Sequence, residues 1–192
     1  MIVTANDQGR ITQVTTEDRP LAYKDTFDDY GKIAAALSID PMAVLQTGLP
    51  VEVVETGLSC LIVPVRSLEV LQDMMPVTQA LDELLQDLGA ACALVYSRQT
   101  LSPMNDVHVR VFAPPLGIQE DPATGSANGA LAAYLVRHGE IEAKPVAQLR
   151  CEQGCEIGRP SIVEVEVDTQ ETPPTIRVGG RVQRSVEGSV FY

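Results

Sequence analysis

Tryptophan is absent from this chain, aromatic residues make up only 4% of it, and histidine occurs twice. A core built without large rings has to be filled with Val, Leu, Ile and Ala, and 45% apolar content over 192 residues is enough for one full domain. Basic residues are also few, 14 against 26 acidic ones, for a formal net charge of −12. A surface of that sign repels phosphate backbones and anionic lipid heads, so neither nucleic acid nor a membrane is an expected partner. Long apolar runs are missing. The longest, around residues 60–65, falls far short of a bilayer span, and residues 1–7 lack the basic start and apolar stretch of a signal peptide. Neither Gly-x-Gly-x-x-Gly after a strand nor Gly-x-x-x-x-Gly-Lys-Ser/Thr occurs, which removes the usual support for a nucleotide fold. Cys60 and Cys92 sit inside apolar runs as small hydrophobes, and Cys151 and Cys155 have no second Cys or His pair at metal spacing. Neither a disulfide framework nor a metal site is expected, and the cytosol is the expected compartment.

What is present reads as an α+β chain without regular alternation. Short strands are expected at 11–15 and 20–23, then a helix over 27–37 capped by Thr26, with Ile33, Ala34 and Leu37 on one face. The β-branched runs 51–54 and 60–65, split by Thr56 and Gly57, read as neighbouring strands. Helices are predicted over 67–73 and 78–88, the second with Leu81, Leu84, Leu85 and Leu88 on one face and Gly89 as its stop. Strands follow at 91–96 and 107–112, a Gly- and Pro-rich loop leads to a helix over 126–138, and strands at 147–151, 162–167 and 175–178 complete the chain, with 181–186 a candidate fourth.

The helix beginning near Ser126 has almost no polar face over its first ten positions: Ala127, Ala130, Leu131, Ala132, Ala133, Leu135 and Val136 leave few directions open to water. A helix apolar all round is enclosed by other elements, so its first-turn N–H groups lie where water cannot freely satisfy them. Pro122 and Gly125 shape the approach, Thr124 and Ser126 add hydroxyls, and Glu120 and Asp121 stand at the mouth. Amides, hydroxyls and helix dipole converging on one point suit a carboxylate or phosphate, and a carboxylate beside them can contact a substrate amine or move a proton. Each residue taken singly is more often a cap or a dipole-compensating charge; their conjunction is what points to a ligand. His108 alternates with apolar positions on a strand, and His138 ends a helix, so both have ordinary structural explanations.

The string from Phe112 to Ala127, above all Glu120-Asp121-Pro122-Ala123-Thr124-Gly125-Ser126-Ala127, resembles the hallmark of the PhzF-like family, named for a phenazine-biosynthesis isomerase and sharing its fold with diaminopimelate epimerase. Val54-Glu55-Thr56-Gly57-Leu58, Glu152-Gln153-Gly154, Gly158-Arg159-Pro160-Ser161 and Val178-Gly179-Gly180 support it. The resemblance implies a lobe in which a curved mixed sheet wraps round a central helix, here 126–138. Residues 26–192 would form the C-terminal lobe, and 1–25 would be remnant strands of the N-terminal one. It implies Asp121 as a catalytic-site acid and Thr124, Gly125, Ser126 and Ala127 as the substrate-binding stretch, with no cofactor and no metal. Related epimerases carry a catalytic Cys where Thr124 stands, which favours a carboxylate-driven proton shift over two-thiol racemisation. The family's principal glutamate acid/base and an assisting histidine belong to a first lobe that nothing in this sequence matches. Two readings follow: a cofactor-independent isomerase acting on a small carboxylate-bearing metabolite, inactive without that lobe, and a non-catalytic anion-binding or interaction domain. Strands deprived of their first-lobe partners would favour a homodimer or a complex with an N-lobe polypeptide.

Overall fold

The computed structural model describes residues 2–5, 11–17, 21–142, 145–170, 172–182 and 188–189. Among the described residues, eleven strands form one mixed sheet: β1 (Ile2–Ala5), β2 (Ile11–Glu17), β3 (Ala22–Phe27), β4 (Val51–Glu55), β5 (Ser59–Pro64), β6 (Cys92–Ser97), β7 (Val107–Ala113), β8 (Ile118–Asp121), β9 (Val146–Gln153), β10 (Ser161–Asp168) and β11 (Thr175–Arg181). Their order is β1-β2-β11-β10-β9-β7-β6-β5-β4-β3, with β8 attached to β7. Two neighbouring pairs are parallel, β5 with β6 and β7 with β9. A parallel pair needs a crossover, and the two crossovers place helices on opposite faces. Between β5 and β6 run α3 (Leu68–Asp73) and α4 (Thr78–Leu88); between β7 and β9 runs α5 (Gly125–Arg137). The remaining helices, α1 (Tyr30–Leu37) and α2 (Met42–Leu45), lie between β3 and β4 in sequence.

The sheet wraps round α5, which touches β4, β5 and β6 in one half and β9, β10 and β11 in the other. Every residue of α5 from Ala127 to Leu135 is buried, because small Ala and Gly side chains let the strands close in from all sides. Period-2 alternation divides the central strands between two cores. Cys60, Ile62, Leu94, Tyr96, Val109 and Val111 face α5, while Leu61, Val63, Ala93, Val95 and Phe112 face outward under α1, α3 and α4. β5 and β6 read as near-continuous apolar runs because both of their faces are covered. Each Leu or Val so buried contributes about 1.5–3 kcal/mol. Among the described residues, no helix is long and apolar enough to cross a membrane.

Three expectations change. Residues 22–27 form strand β3, with Thr26 opposite Glu52 and Phe27 opposite Val51; the helix starts later, at Tyr30, and its cap is Asp29, which accepts from the Lys32 amide at 2.9 Å. The backbone of β4 offers Thr26 and Phe27 a pairing partner, which outweighs Thr26 as a cap. The early strands are not left without partners, since β1 pairs β2, β2 pairs β11 and β3 pairs β4. Residues 118–121, expected as loop, form β8. Of the candidate strand 181–186, Arg181 ends β11 and residues 183–187 lie outside the described residues.

Candidate functional site at the start of α5

Strand β8 delivers the two acids, and its alternation separates them. Glu120 turns away from α5 and pairs with Arg110 through two bonds, Nε to Oε1 at 3.0 Å and Nη2 to Oε2 at 2.9 Å. Arg110 is itself buried and donates through Nη1 to the carbonyls of Leu71 (2.7 Å) and Met74 (2.9 Å). Glu120 is therefore committed to the outer core and does not stand beside Asp121 at the mouth, as the sequence had suggested; the cause is the strand geometry that replaced the expected loop.

Asp121 is on the α5 side, where Thr124 Oγ1 donates to its Oδ2 in a short hydrogen bond. The Thr124 hydroxyl thus orients the carboxylate, and Thr124 makes no side-chain cap to the helix it precedes. Gln153, at the end of β9, binds this loop from the other side. Its Oε1 accepts from the Thr124 amide (3.1 Å) and from Asn128 Nδ2 (2.8 Å), and its Nε2 donates to the Asp121 carbonyl (2.6 Å) and to Thr124 Oγ1 (3.0 Å). Asn128 Nδ2 also donates to the Thr124 carbonyl at 2.9 Å. From the turn after β4, Thr56 Oγ1 donates to the Ser126 carbonyl at 2.9 Å, tying down the first turn of the helix.

That leaves the amides of Gly125, Ser126 and Ala127. Among the described residues none of the three meets a protein acceptor, and the first intrahelical bond is Asn128 N to Thr124 O at 3.1 Å. Gly125 and Ser126 are half-buried and Ala127 is buried. Three orphan donors at the positive end of a thirteen-residue helix, beside a carboxylate oriented by Thr124, can receive an anion and present a carboxylate to it. The structure thus brings together Asp121, Thr124, Gly125, Ser126 and Ala127. His138 caps the far end of α5, about 18 Å along the axis at 1.5 Å per residue, and bonds Glu52 through Nε2 at 2.9 Å.

The model for phenazine biosynthesis-like proteins matches residues 1–188. The chain belongs to that family. An uncharacterized isomerase of Bacillus subtilis is 34% identical over 185 residues, 96% of this chain and 59% of that protein. The trans-2,3-dihydro-3-hydroxyanthranilate isomerase of Pseudomonas fluorescens is 33% identical over 151 residues, 78% of this chain and 49% of that protein. Among solved structures, a predicted epimerase of Pseudomonas aeruginosa superposes with a TM-score of 0.70 at 33% identity, covering 94% of this chain and 59% of the other. A PhzF-family protein of Bacillus anthracis reaches a TM-score of 0.82 at 24% identity, covering 94% and 62%, and shows the shared fold. This PhzF-like chain thus spans about half to six-tenths of the length of the relatives it matches.

Two contributors escaped the sequence reading. Thr56 stood out only as a strand break and, like Gln153, as part of a supporting string; a single Thr in a turn and a single Gln at a strand end carry no chemical signature until the sheet brings them to α5. The four cysteines are free thiols, with Cys151 in the inner core and Cys155 in the turn after β9.

Proposed function

We propose that this chain supplies the carboxylate-binding half of a PhzF-like, cofactor-independent isomerase that moves a proton on a small carboxylate-bearing metabolite. The observation carrying the reading is the set of three uncommitted amides at Gly125, Ser126 and Ala127 next to the buttressed Asp121. The substrate carboxylate accepts from those amides and from the Ser126 hydroxyl. Asp121, oriented by Thr124, faces the substrate beside that carboxylate, where it binds an amine or hydroxyl or hands over a proton. A proton shift needs a second acid/base group within hydrogen-bond reach of the same substrate, the role the family's glutamate would fill. The anthranilate-type substrate in the name of the Pseudomonas fluorescens relative fits the same chemistry, a ring bearing one carboxylate.

A second reading is favoured by one feature. Among the described residues, the hydrogen bonds that build the site involve one ionisable side chain, Asp121, which suits an anion-binding domain.

Calorimetry with 3-hydroxyanthranilate tests the site, and dissociation at about millimolar concentration or below is expected, roughly 4 kcal/mol of binding free energy. The double variant Asp121→Ala, Ser126→Ala abolishes it. A double variant that titrates like the wild type would place the ligand elsewhere. Deuterium incorporation into a bound carboxylate in D2O, followed by proton NMR, separates turnover from binding alone.

A further inference from the structure

Behind Gln153, on the opposite face of the same strand end, lies a buried ionic cluster that the α5 site does not itself contain. Alternation along β9 sends Gln153 toward α5 and Glu152 outward, where His108 of β7 is its cross-strand partner. His108 is fully buried, and both of its ring nitrogens meet carboxylates: Nδ1 to Glu152 Oε1 at 2.7 Å and Nε2 to Glu156 Oε1 at 2.8 Å. A neutral imidazole has one N–H and one lone pair, and a lone pair facing an ionised carboxylate at that distance is repulsive, so with both glutamates ionised the geometry fits the imidazolium. Glu152 is anchored further by the amides of Leu101 (2.5 Å) and Ser102 (3.3 Å) and by Asn105 Nδ2 (2.5 Å). Glu156 belongs to the turn that follows β9; the charge of Arg110, on the same face of β7 as His108, acts on it, and both glutamates act on the Cys155 thiol.

The cluster grips the chain on both sides of Gln153. Glu152 precedes it, and the turn holding Glu156 begins at Gly154, which packs so closely on the site loop that an added Cβ would lie 2.8 Å from the Pro122 carbonyl oxygen. Displacement of the turn is therefore transmitted to Pro122, and displacement of the strand end to the four hydrogen bonds of the Gln153 carboxamide. We propose that Gln153 is a positioning residue of the α5 site, and that His108, clamped between Glu152 and Glu156, holds it in place, so that the site tightens and loosens with the protonation of His108. The electrostatics agree in direction. Burial pulls the His108 pKa down, but Glu156 and Glu152 outweigh it and leave it above the ordinary imidazole value. Burial likewise pushes Glu152 and Glu156 up, and their bonds to His108 and, for Glu152, to Asn105 and the two amides bring them below the usual carboxylate range.

The functional weight of the clamp rests on the carboxylate-site reading; the coupling itself does not, and the test separates them. Backbone amide spectra recorded from about pH 5 to pH 9 should show Gly125, Ser126 and Ala127 shifting with the same midpoint as the His108 ring. Over that range the dissociation constant of 3-hydroxyanthranilate should rise about fivefold or more. In His108→Gln both profiles become flat, and should that variant not fold, Glu156→Gln, which removes one of the two carboxylates that raise the His108 pKa, moves the His108 and α5 amide midpoints together to lower pH. In Gln153→Met, His108 still titrates and the α5 amides no longer follow it. Amides that ignore His108 in the wild-type protein overturn the clamp, whether or not the probe binds. Amides that follow it in a protein that never binds the probe support the clamp and overturn the carboxylate reading instead.

Discussion

The contact between the turn after β9 and the site loop can be isolated by adding one methyl group. Gly154 has φ +80, and a Cβ built on it would lie 2.5 Å from the Arg159 carbonyl oxygen, 2.8 Å from the Pro122 carbonyl oxygen and 2.9 Å from the Pro122 Cα. All three are backbone atoms, which cannot rotate aside. Gly158, four residues on, has φ +68 and nothing within 4 Å of the same construction. Both Gly→Ala changes place a side chain in the left-handed region at about 1–2 kcal/mol, and both restrict the unfolded chain similarly, a term of about 0.4–1 kcal/mol of opposite sign that cancels between them. Only Gly154→Ala adds overpacking, worth about 1–3 kcal/mol. Urea denaturation should therefore show Gly154→Ala less stable than Gly158→Ala by about that same 1–3 kcal/mol. Because two of the three clashes fall on Pro122, carboxylate binding should weaken in Gly154→Ala and persist in Gly158→Ala. Equal destabilisation by the two variants, or tight binding retained in Gly154→Ala, would refute the claim that the turn and the site loop are packed as one unit.

Two further outcomes are expected. Arg110→Met removes the guanidinium that satisfies Glu120 and the carbonyls of Leu71 and Met74; leaving a half-buried carboxylate and these carbonyls without their donor costs about 1–3 kcal/mol, read as a lowered urea midpoint with unchanged slope. Stability should also peak at intermediate pH. The raised His108 contributes fully below its unfolded value, about 6.5, and is lost as pH rises through the folded one, while the depressed Glu152 and Glu156 contribute above their unfolded values, about 4.3, and are lost as pH falls through the folded ones. Urea midpoints measured across pH would show both limbs, with the alkaline limb flattened in His108→Gln; a wild-type profile without an alkaline limb would contradict the charged state of the cluster.

Much of this protein was readable along the chain because the information is local. The burial of α5 follows from a run of Ala and Leu with no polar face, and Ala127 to Leu135 are buried without a break. The donors at Gly125, Ser126 and Ala127 follow from any helix start, and the Pro122–Ser126 string marks that start. The long apolar strands were legible because side-chain type and period are properties of neighbours in sequence.

What only the tertiary structure decided are relations between distant segments. Whether residues 22–27 extend a sheet or open a helix depends on β4 lying alongside them, and a local cap signal at Thr26 could not outweigh that pairing. Glu120 and Asp121 are adjacent in sequence yet serve opposite faces, because β8 adds to β7 and a strand turns successive side chains apart. Gln153 reaches Asp121 across 32 positions, and His108 meets Glu152 and Glu156 across 44 and 48. Nothing in the residues around any of these groups names its partner, since a hydrogen bond is set by position in space, and the curved sheet round α5 alone brings those positions together.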